Sequence, residues 1–478
     1  MLGQDFYVLS PLLILACASV LIMLLIAMKA GHRMIEVFSL VFFALAFGAL
    51  FIIGRAIPYA IPPLLIVDGF GVFIVGLIIF SGLVINVLSY LYFAEKEENP
   101  KEYYVLLQLA TLGACVLAIS DHFISLFLGL ELLSVGLYGL IAYLRARHHP
   151  VEAGIKYLVL AAFSSAFLLF GMALIYFQFG SMEFGVLANK LQSASFTPLV
   201  LTGLGMMLVG IGFKLAIVPF HLWAADVYQG APPPITAFIA TASKGGVLAM
   251  MLRFFTSVDG LRSDVIQIIF VVIAIASMVM GNLLALQQQN VKRLLAYSSV
   301  AHLGYMLVAF MSSGTHSTPA VSFYLLTYFL STLAAFGVVS LLSGRDTDAE
   351  YIADYRGLFW RRPLMACIFT AALLSLAGIP LTAGFIGKFY ILFSGLGQGL
   401  FISCLVLVLS SVVGLYYYLR MITAMFSAQG QTAAEGKRAH PLFYLFSSVT
   451  LSAVTVLIVW LGVNPSSFMG FMTGLIGK

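Results

Sequence analysis

Charge is scarce in this chain, with Asp, Glu, Lys and Arg making up only 9% of its 478 residues. Hydrophobic residues reach 62% and the mean hydropathy is +1.07, so the chain cannot be solvated as a globule. The composition is that of an all-α polytopic membrane protein, and 1–478 reads as one transmembrane domain with no soluble domain. Cysteine is equally sparse. Cys17, Cys115, Cys367 and Cys404 stand alone in apolar runs without CxxC spacing, which indicates small core residues and neither an iron–sulfur cluster nor a zinc site. A GxGxxG turn on a strand and a paired haem-ligand spacing are also missing, so no redox centre is expected here. The net charge is +5, yet Lys and Arg fall singly or in twos near helix ends, without a basic groove interleaved with aromatics. That argues against nucleic acid as a partner.

Long apolar runs are what the chain does have, and they divide it into fourteen spans. They lie at about 8–28, 36–57, 65–93, 104–120, 122–144, 151–178, 199–219, 233–254, 265–286, 296–313, 320–343, 363–391, 400–427 and 441–462. Ile14 to Cys17 faintly resemble a lipoprotein cleavage box, but Asp5 precedes them, a positive leader is lacking and the run continues to Met28, so the first span is expected to be retained. The polar link AQGQTAAEGKRAH before the last span reads as a flexible surface loop. Alternate links differ in charge: fifteen Lys and Arg fall on one side, five on the other and four inside spans. The positive-inside rule then puts both termini away from the cytoplasm. A missed helix would mix the two groups, so the asymmetry supports the count.

Four charges lie within apolar spans. Glu131 is central in SLFLGLELLSVGLYGL, Lys214 sits in GIGFKLAIVPFHLW, Lys244 in ATASKGGVLAM, and Lys388 in SLAGIPLTAGFIGKFY. A charge at the bilayer centre costs roughly 2.5–3.5 kcal/mol even on lenient scales, which makes four of them candidates for an ion path. Lys214 alone admits two readings, a snorkelling side chain or a hydrated path. Lys156 differs, since Glu152 lies four residues before it near a span end and the pair reads as structural. His221 and His302 are possible proton relays, with a hydrogen-bonded core histidine the equal alternative for each. Proline and glycine break two spans: Pro219 in the seventh, and Gly378, Pro380 and Gly384 in the twelfth. These spans are five apart, which reverses their direction in the membrane. Helices four to eight (104–254) and nine to thirteen (265–427) therefore read as two inverted five-helix repeats, flanked by helices one to three (1–103) and by helix fourteen with the C-terminus (441–478).

The segments GFKLAIVPFHLWAADVYQGAPPP, TASK at 241–244, LGLELLSVGLYGL, NVKRLLAYSSVAHLGY and LAGIPLTAGFIGKFY resemble the antiporter-like membrane subunits of bacterial respiratory complex I, the proton-translocating NADH:quinone oxidoreductase. The resemblance covers essentially the whole chain, and the lysine in GFIGKFY favours the N subunit over sister subunits, some of which carry glutamate there. It implies fourteen helices with broken helices seven and twelve, and a proton path through Glu131, Lys214, Lys244 and Lys388. It further implies that this chain binds no cofactor, while NADH, FMN, iron–sulfur clusters and quinone belong to partner subunits. The implied partners are the other complex I membrane subunits, antiporter-like and small, with the peripheral arm reached through them. The implied setting is the lipid bilayer of a bacterial inner membrane. Two other readings stay open: a subunit of a multi-component sodium/proton antiporter, and a stand-alone secondary transporter. The latter needs a pocket of discriminating polar groups, whereas the broken segments offer mainly lysine, glycine and proline.

Overall fold

A computed structural model describes residues 2–54, 56–96, 100–193, 196–312, 317–345, 347–428 and 441–476. Among them, twelve helices are each long and apolar enough to cross a membrane, from Ser10–Ala27 to Phe443–Val463. The shorter helix Glu102–Ala118 adds a thirteenth pass, and Pro363–Ala377 with Ala383–Gly397 together make another. The protein is therefore an all-α polytopic membrane protein, and the fourteen passes follow the order read from hydropathy. Of the link expected as a flexible loop, all but Ala428 lies outside the described residues.

One boundary is corrected. The third span was expected to start near Leu65, but Leu65–Val67 is a strand that pairs antiparallel with Tyr59–Ile61. The helix starts at Gly69 because Asp68 caps it, its Oδ1 accepting from the Gly71 backbone N–H at 2.7 Å. A continuous apolar run carries no period that separates a short strand from a buried helix start. The helix Phe184–Ser193 between spans six and seven was read only as a link.

The most apolar stretches of spans eight (Pro233–Ser257) and ten (Val291–Met311) are wholly buried, and those of eleven (Ser317–Leu342) and three (Gly69–Ala94) nearly so. The other long spans line the outside, where exposed Phe163, Phe177, Phe401 and Ile402 present an apolar surface suited to lipid or to a neighbouring subunit. Span four packs on spans five and eight, and span nine packs on spans ten and thirteen. Likewise six packs on seven, and eleven on both halves of twelve. Glycine permits the closest of these approaches: a Cβ on Gly113 would lie 2.4 Å from the Leu133 nitrogen, and one on Gly281 2.6 Å from that of Ala301.

Candidate functional site

Both broken spans stop at a residue in the left-handed region. Span seven, Pro198–Leu215, starts on the Thr197 cap and ends at Ala216 (φ 58°). Pro219 supplies no N–H, and the chain resumes as a helix at Leu222–Gly230. The polar groups released by the break find protein partners: Val218 N–H donates to Ser277 Oγ at 3.0 Å, and Trp223 Nε1 donates to the Phe213 carbonyl at 2.9 Å. Span twelve ends its first half at Gly378 (φ 81°), where glycine alone takes that backbone without strain. Gly384 then passes so near the first half that a Cβ there would stand 1.8 Å from the Ser375 carbonyl oxygen.

Lys214 lies just before its break and is 2% exposed. Its ammonium donates to Ser134 Oγ at 2.7 Å and to Tyr157 Oη at 3.3 Å, and stands 5.0 Å from the Tyr157 ring centroid. Glu131 and Lys214, which the resemblance puts on one proton path, are not in direct contact. Half-buried Glu131 accepts from Ser165 Oγ at 2.6 Å, and no ion pair within 4.0 Å joins it to Lys214. Ser134, the acceptor of Lys214, lies one turn further along the same helix as Glu131.

Lys244 follows a π-helical turn, Ile239–Ser243, inside span eight. Such single turns inside α-helices concentrate at functional sites. Its ammonium donates to Ser299 Oγ at 2.7 Å and stands 5.6 Å from the Tyr228 ring centroid. Ser299 begins a row on one face of span ten, since His302 and Tyr305 follow at intervals of three. His302 has both ring nitrogens engaged, Nδ1 with Tyr324 Oη at 2.6 Å and Nε2 with Tyr418 Oη at 3.2 Å. Tyr305 carries the row onward, for the Lys388 ammonium stands 5.2 Å from its ring centroid. Lys388 itself donates to Ser411 Oγ at 2.7 Å and to the Ala377 carbonyl at 2.8 Å. That carbonyl is one the break in span twelve has freed, at a helix C-terminus whose dipole favours a cation.

Lys214, Lys244 and Lys388 thus share a chemistry. Among the described residues none of the three has a carboxylate within 4.0 Å, and each is held by hydroxyls, a carbonyl or an aromatic face. His221 stands apart at the break of span seven, buried, with neither ring nitrogen meeting a hydrogen-bond partner.

Residues 120–414, which contain Glu131, Lys214, Lys244, His302 and Lys388, match the family model described as NADH:quinone oxidoreductase/Mrp antiporter, TM. The chain belongs to this antiporter-like membrane family. A chain of respiratory complex I from Thermus thermophilus is 34% identical, with a TM-score of 0.82 over 96% of this chain and 98% of that one. Two more distant structures share the fold. A chain of the Mrp complex from a Dietzia species is 21% identical over 99% of this chain and 97% of that one, with a TM-score of 0.86. A chain of an archaeal membrane-bound sulfane sulfur reductase is 24% identical over 100% and 98%, with a TM-score of 0.81.

This antiporter-like chain also buries charges that sequence reasoning left in a link. Lys292 donates to the Ala231 carbonyl at 3.2 Å, to Asp348 Oδ2 at 3.1 Å, and pairs with Glu350 Oε1 at 3.1 Å. Lys96 reaches the other Asp348 oxygen, and Tyr92 Oη donates to it at 3.0 Å. Burial alone would raise the Asp348 carboxyl, but the Lys292 and Lys96 ammoniums outweigh it and hold the group at about 2. Spacing gave no signal, because the partners are 56 and 252 residues from Asp348 and each looks like an ordinary interfacial charge. Ser134, Ser299 and Tyr305 were also missed, since serine and tyrosine inside spans are common. Only their distances to the lysines mark them.

Proposed function

We propose that the chain is a proton-translocating membrane-arm subunit, of the N type, of a bacterial NADH:quinone oxidoreductase. The observation that carries this reading is the row of buried lysines and one histidine whose partners are neutral. An ammonium held by a hydroxyl gives up its proton without stranding a buried carboxylate, and the hydroxyl can then donate to the neutral amine. Protons enter from the cytoplasm towards Lys214, pass by Lys244 and the Ser299–His302–Tyr305 face to Lys388, and leave on the opposite side. Glu131 acts on Lys214 through the Ser134 turn, and His302 is the better placed of the two histidines to relay. Moving one charge across 100 mV costs roughly 2.3 kcal/mol, comparable with what rearranging buried charges supplies.

Further parts of the reading rest on the same residues. Helices four to eight and nine to thirteen form two inverted repeats, supported by their recurring packing and paired breaks. Both termini face the periplasm, and the chain sits in a bacterial inner membrane beside other complex I membrane subunits. NADH, FMN, iron–sulfur clusters and quinone are held by partner subunits. The family description admits a second reading, a subunit of a sodium/proton antiporter assembly, and co-purification with flavin and iron–sulfur subunits separates the two. The test of the mechanism is proton pumping in NADH-energised vesicles carrying Lys214→Ala or Lys244→Ala, with electron transfer and assembly measured alongside. Loss of pumping and coupled electron transfer in assembled mutants is the expected result. Normal pumping in both would make the lysines structural and overturn the path.

A further inference from the structure

Away from the lysine row, spans two (His32–Ile53) and fourteen (Pro441–Val463) each pack on span three and leave a seam between them. Tyr90 of span three stacks on Phe443 of span fourteen with ring centroids 4.0 Å apart, forming part of its floor. At the end that begins at His32 the seam opens into a cavity of about 390 Å³, whose lining includes Arg33, Glu36, Val37, Leu40, Phe446 and Val449. Towards the other end the same two helices border a second cavity of about 550 Å³, apolar throughout, with Phe51 and Trp460 on its walls.

The two ends differ in chemistry. The first carries an arginine and a glutamate above an apolar trough, on the side of the chain richest in basic links. Arg33 and Glu36 are three residues apart, hence on one helix face and about 4.5 Å apart along the axis. Exposed Arg33 places its guanidinium 5.6 Å over the Phe443 ring. Glu36 is only 3% exposed, and its Oε2 has no hydrogen-bond partner. A carboxylate oxygen left unpaired beside a cavity is a position for a donor from outside the chain.

We propose that this seam binds an aminophospholipid of the ethanolamine type, its phosphate on Arg33, its ammonium on Glu36 and an acyl chain along Val37, Leu40, Phe446 and Val449. Charge complementarity selects that occupant. The headgroup presents a phosphate and an ammonium about 4–5 Å apart, comparable to the helical rise between Arg33 and Glu36. A glycerol headgroup offers no cation to Glu36, and a choline headgroup offers a cation with no N–H to donate.

The test uses the full chain in its native complex, reconstituted in nanodiscs with equal ethanolamine, choline and glycerol phospholipids, each in turn carrying a photoreactive acyl chain. Ethanolamine lipid is expected to label span fourteen at least fivefold more than either of the others. Glu36→Gln should bring it down to the choline level, Arg33→Ala should lower all three, and Val449→Trp should abolish labelling without touching either charge. Equal labelling by the three lipids in the wild-type chain, or a preference for glycerol lipid, overturns the proposal, as does labelling that Val449→Trp leaves unchanged. The wild-type comparison decides even where a variant fails to assemble.

Discussion

Two sets of lysines have buried side chains in this molecule, and they sit among opposite partners. Lys214, Lys244 and Lys388 face hydroxyls, a carbonyl and aromatic rings, whereas Lys96 and Lys292 face Asp348, with Glu350 beside Lys292. Burial alone therefore does not mark a proton carrier. A lysine paired with carboxylates cannot lose its proton without leaving a buried anion unpaired, so its charge is fixed and its role is to clamp. A lysine among neutral donors and acceptors can exist in either protonation state.

The largest effect should come from removing the choice of protonation state while keeping the charge. Arginine stays protonated, so Lys244→Arg should lower vesicle proton pumping at least tenfold in an assembled complex, as Lys244→Ala does, while Lys292→Arg should stay within about twofold of wild type. Equal tolerance at both positions would erase the distinction. Next comes the clamp. Asp348→Asn strands Lys96 and leaves Lys292 with Glu350 as its remaining carboxylate, and should cost about 3–5 kcal/mol of stability, read as a lower thermal unfolding midpoint, with pumping reduced only as far as folded protein is lost. A shift below about 1 kcal/mol would show that the cluster holds nothing together.

The same group sets a pH dependence. Its carboxyl is depressed from 3.8 to about 2, so its contribution is complete above pH 3.8 and disappears as the pH falls through about 2. Thermal midpoints of the wild-type complex should fall across that window more steeply than those of Asp348→Asn, and parallel curves would contradict the assignment. Smallest is the loss of one hydroxyl: Ser299→Ala removes the acceptor of Lys244 and should slow pumping severalfold, in line with about 1–1.5 kcal/mol for one hydrogen bond. Ser299→Thr, which keeps the hydroxyl, should restore most of the rate.

Much of this was legible in the sequence. Spans are written in hydropathy because lipid demands about 20 apolar residues per pass, and Lys214, Lys244 and Lys388 stood out because a charge is rare there. Pro219 and Gly378 announced the breaks for the same local reason. What stayed hidden depends on which helix lies beside which. Asp348 finds Lys96 and Lys292 only after folding, Glu131 meets Ser165 rather than Lys214, and the Leu65–Val67 strand is as apolar as the helix that follows. The outer spans show the limit from the other side. Their outward residues are as apolar as the buried ones, so hydropathy finds the helix and says nothing of its neighbours.

The π turn at Ile239–Ser243 sets the phase of everything that follows it in span eight. Such a turn carries one residue more than its α-helical equivalent, and one residue amounts to about 100° of rotation. Lys244 therefore points at Ser299 by virtue of a single inserted residue. Deleting Ala240 would keep the span, its hydropathy and its lysine, yet turn that lysine off the face of span ten, so a chain complete in composition would fall silent through orientation alone.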